Sequence, residues 1–395
     1  MKTLNDKLQL LQTKMLNTDE KIRIMIIGLG SVGLYLLDYL ASTADPRMEI
    51  IVVGRNYDKM LSDVNIVKTA ATIRRQLRAT IHIEGNCNLE DVDNITDVLR
   101  KWNPDFIVNS SRVYSGLKYG SISWSHLRAY GIWTPLSVKF AKNIMEAYEK
   151  ADFHAISINT SYSDAVIPWL KSAGTAYFDF GSGNLNHLIP RMKFYIAGKF
   201  GTDNLNDIDI TLAVSHFHDV VISKEGHAEG QDILLDIKYH GKTLNFNKEE
   251  LLSACKIAMP VDQKRNMMNA SSDFDIINSI LTALGEKKMM KIHTPGVNGE
   301  IGGYPFIIDG RGQANGYIDT TVFALDEMKK ANRASIYFDG IENIESGVLT
   351  FTDELIEKVR TEFGCKLTKS VKLETSDEVA SMIIDKIINP TFNSK

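Results

Sequence analysis

The sequence contains little cysteine, with three residues in a chain of 395, at Cys87, Cys255 and Cys365. These residues lie far apart, their number is odd, and no two of them form a CxxC pair. This pattern argues against a disulfide framework and against a zinc ribbon. We therefore expect a protein of a reducing compartment, most simply the cytoplasm.

Long apolar runs and an excess of positive charge are also absent. No apolar stretch reaches the roughly 20 residues that span a bilayer, and residues 1–20 lack the continuous apolar core of a signal peptide. The 45 basic and 49 acidic residues nearly balance. The densest basic stretch, at 68–78, alternates with apolar residues as an exposed helix face does. We therefore expect neither a membrane nor a nucleic acid as partner.

A glycine-rich turn follows the first apolar run. Residues 21–33 read KIRIMIIGLGSVG, and the following LYLLDYLAS has helical character. In a strand–turn–helix unit, Gly28 allows the tight turn, Gly30 lets the backbone approach a pyrophosphate, and Gly33 allows close helix packing. The helix N-terminus then faces the anion. The pattern predicts a Rossmann-type dinucleotide site, whose residues are Gly28, Gly30, Ser31, Val32 and Gly33.

The end of the second apolar run bears on the choice of cofactor. NAD sites usually place an acidic residue there, where it accepts a hydrogen bond from the ribose 2′-hydroxyl. In this chain the run at 49–53 ends in Gly54, Arg55 and Asn56. A guanidinium can bind a 2′-phosphate with two hydrogen bonds. The sequence therefore favours NADP(H), with NAD(H) as the alternative and with Arg55 as a solvated loop charge in that case.

Apolar strands and helical patterns alternate from residue 21 to about 158, as a doubly wound parallel sheet requires. We expect an α/β chain with an N-terminal Rossmann domain over 1–160. An amphipathic helix predicted at 3–17 would pack on its own domain or on a neighbouring subunit, and we expect a homo-oligomer. Predicted strands cover 22–28, 49–53, 79–84, 105–109 and 154–158, and predicted helices cover 32–43, 58–77, 90–102 and 134–151.

The second half, 161–395, is predicted to be an α+β domain for substrate binding, catalysis and oligomerisation. Its predicted strands are 207–214, 219–223, a hairpin of 232–239 and 242–247, and a pair at 288–293 and 304–308. Its predicted helices run from an N-cap at Ser272 to Gly285 and over 320–333, 353–363 and 377–388.

Polar clusters follow two of the predicted strands, where a Rossmann fold brings reacting groups together. After the fourth strand, Asn109 and Ser110 would lie beside the cofactor. Arg112 or Arg128 could then clamp a substrate carboxylate, unless the segment is an ordinary surface loop. After the fifth strand, Asn159 could bind a substrate oxygen or the nicotinamide ribose, or could only cap the next helix.

Two further candidates lie in the second half. Arg191 ends a glycine-containing segment and could pair with a substrate carboxylate, or could be an exposed helix charge. His216 and His218 occupy alternate positions, and histidine can pass a proton to a carbonyl oxygen near neutral pH. On a strand both rings would face one side and could hold a metal, but no third ligand has a telling spacing and we expect none. A structural histidine pair is the alternative.

Taken in order, these segments resemble the lactate and malate dehydrogenase family over most of the chain. The resemblance is strongest from about residue 105 to 325. It covers that family's mobile active-site loop, its asparagine-containing strand end, its glycine-to-arginine helix start, its histidine segment and its later glycine-bounded strand. The matching segments are 109–128, INTSYSD at 158–164, GSGNLNHLIPRMKFYIAGKF at 181–200, SHFHD at 215–219 and NGEIGGYPFIIDGRG at 298–312.

The resemblance implies roles for the candidate residues. His216 would be the acid/base and Arg191 the carboxylate clamp. Asn159 would be a polar ligand, and Arg112 or Arg128 would be the loop arginine that polarises the substrate carbonyl.

The sequence also departs from this family. The family's histidine is oriented by an aspartate three residues before the clamp arginine, where this chain has Leu188, or Asn186 if two residues are inserted. An amide can orient an imidazole but does not stabilise its charged form as a carboxylate does. Phe217 replaces the glycine that follows the histidine, and 101–111 is more similar to saccharopine-type reductases.

We predict a divergent NADP(H)-dependent oxidoreductase that moves hydride between the nicotinamide and a carboxylate-bearing substrate. The substrate would be a 2-oxo or 2-hydroxy acid or an amino-acid derivative. Two alternatives stay open. One is a saccharopine- or opine-type imine reductase, and the other is a catalytically silent NADP(H)-binding sensor or scaffold, which the missing aspartate favours.

Overall fold

The first half of the chain forms a six-stranded parallel sheet. The computed structural model describes residues 2–17, 19–114 and 116–393. The strands are β1 (Ile22–Ile27), β2 (Met48–Val53), β3 (Thr80–Glu84), β4 (Phe106–Asn109), β5 (Ile156–Asn159) and β6 (Phe180–Gly181). Their order is β3-β2-β1-β4-β5-β6, so the direction of winding reverses between β1 and β4, where folds of this class bind their ligands. The predicted doubly wound α/β fold is confirmed.

The two faces of this sheet are buried in separate apolar layers. Along β1, Met25 and Ile27 pack into one layer, whereas Ile24 and Ile26 pack into the other, because successive side chains of a strand point to opposite faces. The predicted strands and helices of this half are confirmed to within a few residues. The helices are α1 (Leu4–Leu16), α2 (Ser31–Ser42), α3 (Tyr57–Ile73), α4 (Val92–Trp102), α5 (Gly116–Ile122), α6 (Thr134–Ala151) and α7 (Ser163–Ser172).

Helix α1 packs within this chain, on the sheet and also on residues 310–316 of the second half, whereas the predicted positions were its own domain or a neighbouring subunit. The Lys7 side chain is fully buried, and its Nζ lies 2.8 Å from Asp179 Oδ2. Two helical turns later, on the same face of α1, Lys14 Nζ lies 2.7 Å from Asp105 Oδ2. A buried ammonium group is costly unless it is paired, so the Lys7 ion pair fixes the register of α1 against the sheet.

The second half adds three small antiparallel sheets and more helices. No helix in the described ranges combines the length and the apolarity needed to cross a bilayer. The predicted strand pair and the helix between Thr352 and Gly364 are confirmed, and so is the hairpin, although its second strand covers only Lys242–Thr243 of the predicted 242–247. The strands are β7 (Ile208–Ala213), β8 (Leu234–Tyr239), β9 (Lys242–Thr243), β10 (Met289–Pro295), β11 (Gly303–Asp309), β12 (Asn315–Ile318), β13 (Ile341–Glu345), β14 (Val348–Phe351) and β15 (Ser370–Lys372). The helices are α8 (Leu188–Phe200), α9 (His216–Glu225), α10 (Lys248–Ala254), α11 (Asn266–Glu286), α12 (Leu325–Phe338), α13 (Asp353–Phe363), α14 (Ser376–Ile383) and α15 (Asn389–Asn393).

Three predictions for this half are wrong. Residues 219–223 belong to helix α9 and not to a strand, because an apolar run this short has no decisive periodicity. The helix ends at Gly226, whose φ of +81° is the left-handed conformation that closes helices. Helix α11 begins at Asn266, so Ser272 lies inside it and is not its N-cap. Helix α12 begins at Leu325, later than the predicted 320.

Candidate active site

A cleft of about 960 Å³ runs along the carboxyl ends of the sheet strands. This volume is at the upper end of the range for small-molecule and cofactor sites. The turn after β1 and the segment after β4 line one part of the cleft. Helices α8 and α9 and the start of α11 line the rest. The predicted nucleotide turn and the predicted histidine therefore face a single cavity.

The glycine turn has the geometry of a dinucleotide site. Gly28 has a φ of +94°, and a Cβ there would lie 2.8 Å from the Ser111 Cα. A Cβ on Gly33 would lie 2.3 Å from the Gly28 carbonyl oxygen, so α2 approaches the turn too closely for a side chain. At Gly30, by contrast, a Cβ would meet no atom within 4 Å. Gly30 is also the N-cap of α2 and offers no side-chain cap, which leaves the helix N-terminus open to an anion.

The residues Ser31 and Val32 complete this wall of the cleft. Ser31 begins helix α2, and its hydroxyl accepts a hydrogen bond of 2.5 Å from the Asn266 amide. This contact brings the start of α11 to the start of α2. The residues present fit a pyrophosphate, which the open Gly30 position and the exposed N–H groups of α2 would receive.

The cleft is basic beyond the second strand. Arg55, Asn56 and Lys59 line it there. The side-chain oxygen of Asn56 caps helix α3 by accepting from the Lys59 N–H at 3.0 Å. Among the described residues, the acidic side chains that line the cleft are Asp219 and Asp339. Both of them lie near His216 and not near Arg55. The Arg55 end thus has cations and no carboxylate.

Asn109 and Asn159 form a buried pair beneath the cleft. The Asn109 Nδ2 donates to Asn159 Oδ1 at 3.0 Å, while Asn159 Nδ2 donates to Ser163 Oγ at 3.0 Å. Both amides join the ends of β4 and β5, and neither side chain lines the cavity. Ser110 does line it, and its hydroxyl donates to the Gly28 carbonyl at 2.6 Å. These residues position the cleft walls.

His216 lies in the first turn of α9 with its ring in the cleft. Its Nδ1 is 2.6 Å from Asp339 Oδ2. Asp339 is 2% exposed, and its carboxylate also accepts from the Tyr162 hydroxyl at 3.0 Å and from the Tyr130 N–H at 2.8 Å. No described residue hydrogen-bonds the other ring nitrogen, Nε2. The arrangement fixes the imidazole through Nδ1 and leaves Nε2 for a ligand.

Three buried carboxylates surround this imidazole. The backbone N–H of His216 donates to Asp164 Oδ1 at 3.0 Å. Burial lowers the pKa of His216, but Asp339 above all, with Asp164 and Asp219, more than offsets this effect, and the pKa lies above its ordinary value. Burial raises the pKa of Asp219 to about 6, against the opposing charges of His216 and Arg191. The surroundings therefore stabilise the protonated imidazole.

His218 occupies a different environment. Its Nδ1 lies 2.7 Å from Ser335 Oγ and its Nε2 lies 2.8 Å from the Glu229 carbonyl oxygen. The side chain is fully buried outside the cleft, and burial lowers its pKa. Because 216–225 is a helix, the two rings do not share a face. The prediction that the His216 and His218 rings face the same side, as they would on a strand, is therefore wrong.

The two candidate loop arginines have different positions. Arg112 lines the cleft, and its Nη1 donates to the Tyr119 hydroxyl at 2.7 Å. Arg128 does not line the cleft, because its guanidinium pairs with Glu225 at 2.6 Å and with Glu229 at 2.5 Å. With His227, these two glutamates place ligand atoms within 4.8 Å of one another. The Arg128 cation already supplies the positive charge that such a group would attract.

Arg191 lines the cleft but is 3% exposed. Its Nε donates to the His187 carbonyl at 3.2 Å. Its Nη1 donates to the carbonyls of Ser223 and Cys255 at 3.4 and 2.9 Å, and its Nη2 contacts the Met259 sulfur at 3.1 Å. A guanidinium has five N–H donors, so one N–H of Nη2 is left for a ligand. The alternative of an exposed helix charge is wrong.

Several residues of this site are not among those predicted from the sequence. Asp339 ends helix α12, and nothing in the sequence connects it with His216. Asp164 and Asp219 stand in segments already quoted as polar or histidine-containing, so a search for carboxylates near the histidine could have found them. His187 also lines the cleft, with a buried Nε2 that has no hydrogen-bond partner among the described residues. Burial, with the Arg265 and Arg191 charges, lowers its pKa to about 3, so its ring is neutral.

Solved structures share this fold. Malate dehydrogenase from Aeropyrum pernix matches with a TM-score of 0.51 and 16% identity, over 80% of this chain and 97% of that chain. Lactate dehydrogenase from Cryptosporidium parvum, complexed with lactic acid and nicotinamide adenine dinucleotide, matches with a TM-score of 0.53 and 12% identity, over 81% and 97%. Malate dehydrogenase from Plasmodium falciparum matches with a TM-score of 0.51 and 14% identity, over 80% and 95%. No family model matches the sequence, and neither does any curated protein. The chain has the lactate and malate dehydrogenase fold in a divergent form.

Proposed function

We propose that this protein is an NADP(H)-dependent oxidoreductase that acts on a carboxylate-bearing 2-oxo or 2-hydroxy acid or an amino-acid-derived relative. The observation that carries the proposal is the His216–Asp339 pair, which faces the same cleft as the glycine turn. A proton-transfer group and a nucleotide-type turn in one cavity are what hydride transfer to a carbonyl requires.

His216 is the proposed acid/base. With the Asp339 carboxylate at Nδ1, the proton of the neutral ring lies on Nδ1, so Nε2 is the atom that gains and loses a proton. In the reducing direction, Nε2–H gives its proton to the substrate oxygen and the ring becomes neutral. Asp339 favours the charged ring before this step and holds the orientation of the ring throughout it.

The glycine turn is the proposed cofactor site. Gly28, Gly30, Ser31, Val32 and Gly33 would hold the pyrophosphate. Arg55, with Lys59, would bind the 2′-phosphate, which favours NADP(H) over NAD(H). The bound nicotinamide supplies the hydride.

Two arginines are the proposed contacts of the substrate. Arg191 has one N–H left for a carboxylate oxygen, so it binds that group with a single hydrogen bond and not as a two-pronged clamp. Arg112 lines the cavity and is the choice over Arg128 for polarising the carbonyl. Asn159 supports the wall through Asn109, and His218 has no part in proton transfer.

Asp339 also bears on the two alternatives. The absence of an aspartate near Arg191 in the sequence favours the silent sensor or scaffold, but Asp339 supplies a carboxylate partner to His216 from the end of α12. An imine reductase would use the same His216 and cleft. A cytoplasmic location and a homo-oligomeric state stay predictions from the sequence.

The experiment is an NADPH oxidation assay over a panel of 2-oxo acids, with and without amines. We expect turnover of at least one acid, and we expect His216→Asn to reduce it by about 10²-fold or more. His126→Asn is the matched control, because His126 is exposed and pairs with Glu362 away from the cleft. Turnover only with added amine supports the imine reductase, and NADPH binding without any turnover supports the silent protein.

A further inference from the structure

Two cations on the α9 and α11 side of the cleft have no hydrogen-bond or ion-pair partner among the described residues, as is also true of Arg55 and Lys59 at the other end. Lys224 and Arg265 both line the cavity, and neither side chain forms an ion pair or a hydrogen bond with any described residue. Arg191 and Arg112, in contrast, donate to carbonyls and to a hydroxyl. The Lys224 ammonium group rests on the Trp124 ring, with Nζ 4.7 Å from the ring centroid. A cation held in this way is oriented without being neutralised.

The position of Lys224 follows from helix α9. His216 and Lys224 are eight residues apart, which corresponds to about 12 Å along the helix axis. Both line the cleft, and Ser223 and Val220 between them line it as well. Helical side chains lean toward the N-terminus, so Lys224 extends back toward His216. The separation of the two positions along the helix therefore favours an acid that is longer than three carbons.

Electrostatics distinguish this end of the cleft from the His216 end. Burial and the neighbouring Arg265 charge lower the pKa of Lys224, and Glu225 opposes them only in part. The Glu225 carboxylate is already paired with Arg128. Two half-buried cations that repel each other cost folding free energy unless a ligand compensates them.

We propose that Lys224 and Arg265 form a subsite for a second anionic group of the substrate, distal to the carbon that reacts at His216. The inference rests on the proposed function and narrows it. The substrate is then an acid with two anionic groups at opposite ends, such as a dicarboxylate or an acid with a terminal phosphate, and not a short monocarboxylic acid.

A second source of anionic charge is the pyrophosphate of the cofactor. Asn266 contacts Ser31, so Arg265 stands close to the start of α2, where the phosphates would bind. Lys224 lies on α9, on the same helix as His216. A subsite for the substrate requires both cations, whereas a pyrophosphate contact requires only Arg265.

The test is calorimetric titration of the full chain with and without saturating NADPH. The probes are glutarate and pimelate beside the monocarboxylates pentanoate and heptanoate. We expect at least one diacid to bind about tenfold or more tightly than its monocarboxylate of equal length. Lys224→Gln and Arg265→Gln, singly and together, should abolish this preference and leave the Kd for NADPH within about twofold of the unmodified protein.

The control is Lys68→Gln, which removes an exposed lysine that does not line the cleft, and it should keep the preference for the diacid. Equal binding of diacids and monocarboxylates would overturn the inference, and so would a diacid preference that survives in Lys224→Gln. A large loss of NADPH affinity in Arg265→Gln, with the diacid preference intact, would assign Arg265 to the cofactor. Because the probes are also titrated without NADPH, failure of the subsite is distinguishable from failure of cofactor binding.

Discussion

Asp339 Oδ2 lies 2.6 Å from His216 Nδ1, although the two residues are 123 positions apart in the chain. Asp339 ends helix α12, and His216 begins helix α9. Its carboxylate also accepts hydrogen bonds from Tyr162 and from the Tyr130 backbone. The carboxylate beside His216 thus comes from helix α12 and not from the segment near Arg191.

The first prediction concerns this pair. Asp339→Asn should reduce NADPH-dependent reduction by on the order of 10²–10⁴-fold, because the amide can hold the wrong ring tautomer and no longer favours the charged ring. Since Asp339 raises the pKa of His216, and reduction needs the protonated ring, the alkaline limb of the pH–rate profile should move to lower pH. Asp326→Asn, an exposed change on the same helix, is the control. An unshifted limb would contradict the assigned roles.

Two glycines of the turn should respond differently to alanine. At Gly30 a Cβ meets no atom, so Gly30→Ala should leave the melting temperature unchanged but weaken NADPH binding, because the methyl group enters the space for the pyrophosphate. At Gly33 a Cβ would strike the Gly28 carbonyl oxygen. Gly33→Ala should therefore lose about 1–3 kcal/mol of stability. Thermal melts and NADPH titrations of both variants measure the contrast, and equal melting temperatures would contradict it.

Arg55 should decide between the two coenzymes. Arg55→Gln should weaken NADPH binding by about 10- to 100-fold, since a charged hydrogen bond to phosphate contributes on the order of 1.5–3 kcal/mol. The affinity for NADH, which lacks the 2′-phosphate, should stay the same. Arg78→Gln, which removes an exposed arginine outside the cleft, is the control. Parallel losses for both coenzymes would remove Arg55 from the 2′-phosphate site.

Asp273 should make stability depend on pH. This residue is fully buried in helix α11, and burial raises its pKa to about 8, with Ser182 opposing the shift only in part. In the unfolded chain the carboxyl group titrates near pH 4. Between about pH 4 and 8 the folded state therefore binds more protons, and its stability falls as pH rises by at most about 1.4 kcal/mol per pH unit.

Asp273→Asn keeps the shape of the protonated acid and removes this dependence. Urea unfolding at pH 5 and pH 8 should show that the variant gains more stability at the higher pH. Asp385→Asn, on the exposed surface, should show no such difference. If the free energy of unfolding of the variant rose by the same amount at both pH values, the pKa of the Asp273 carboxyl group would not be raised in the folded protein.

The first half of the fold could be predicted because its signals are local. The apolar run of β1, the glycine turn and the start of α2 are contiguous, and the structure shows a steric reason for Gly28 and for Gly33. The Arg55 position could be predicted in the same way, because it immediately follows a strand. The prediction that α9 is a strand failed because its apolar run is short and its end depends on Gly226, which also suits a turn.

The chemistry of the site was less predictable because it depends on long-range packing. Asp339 contacts His216 only after α12 packs against α9, and the sequence near Asp339 has no motif. How many N–H groups of Arg191 are left for a ligand depends on the carbonyls of Ser223, in α9, and Cys255, at the end of α10. Backbone acceptors of this kind have no signature in side-chain sequence.

Coenzyme binding by the purified chain tests the central claim most directly. A titration with NADPH, followed by the fluorescence of the nicotinamide, should saturate at one molecule per chain, and NADH should bind about tenfold or more weakly. A protein that leaves the fluorescence of both coenzymes unchanged at every concentration would contradict the cofactor site, the hydride chemistry and the role given to His216.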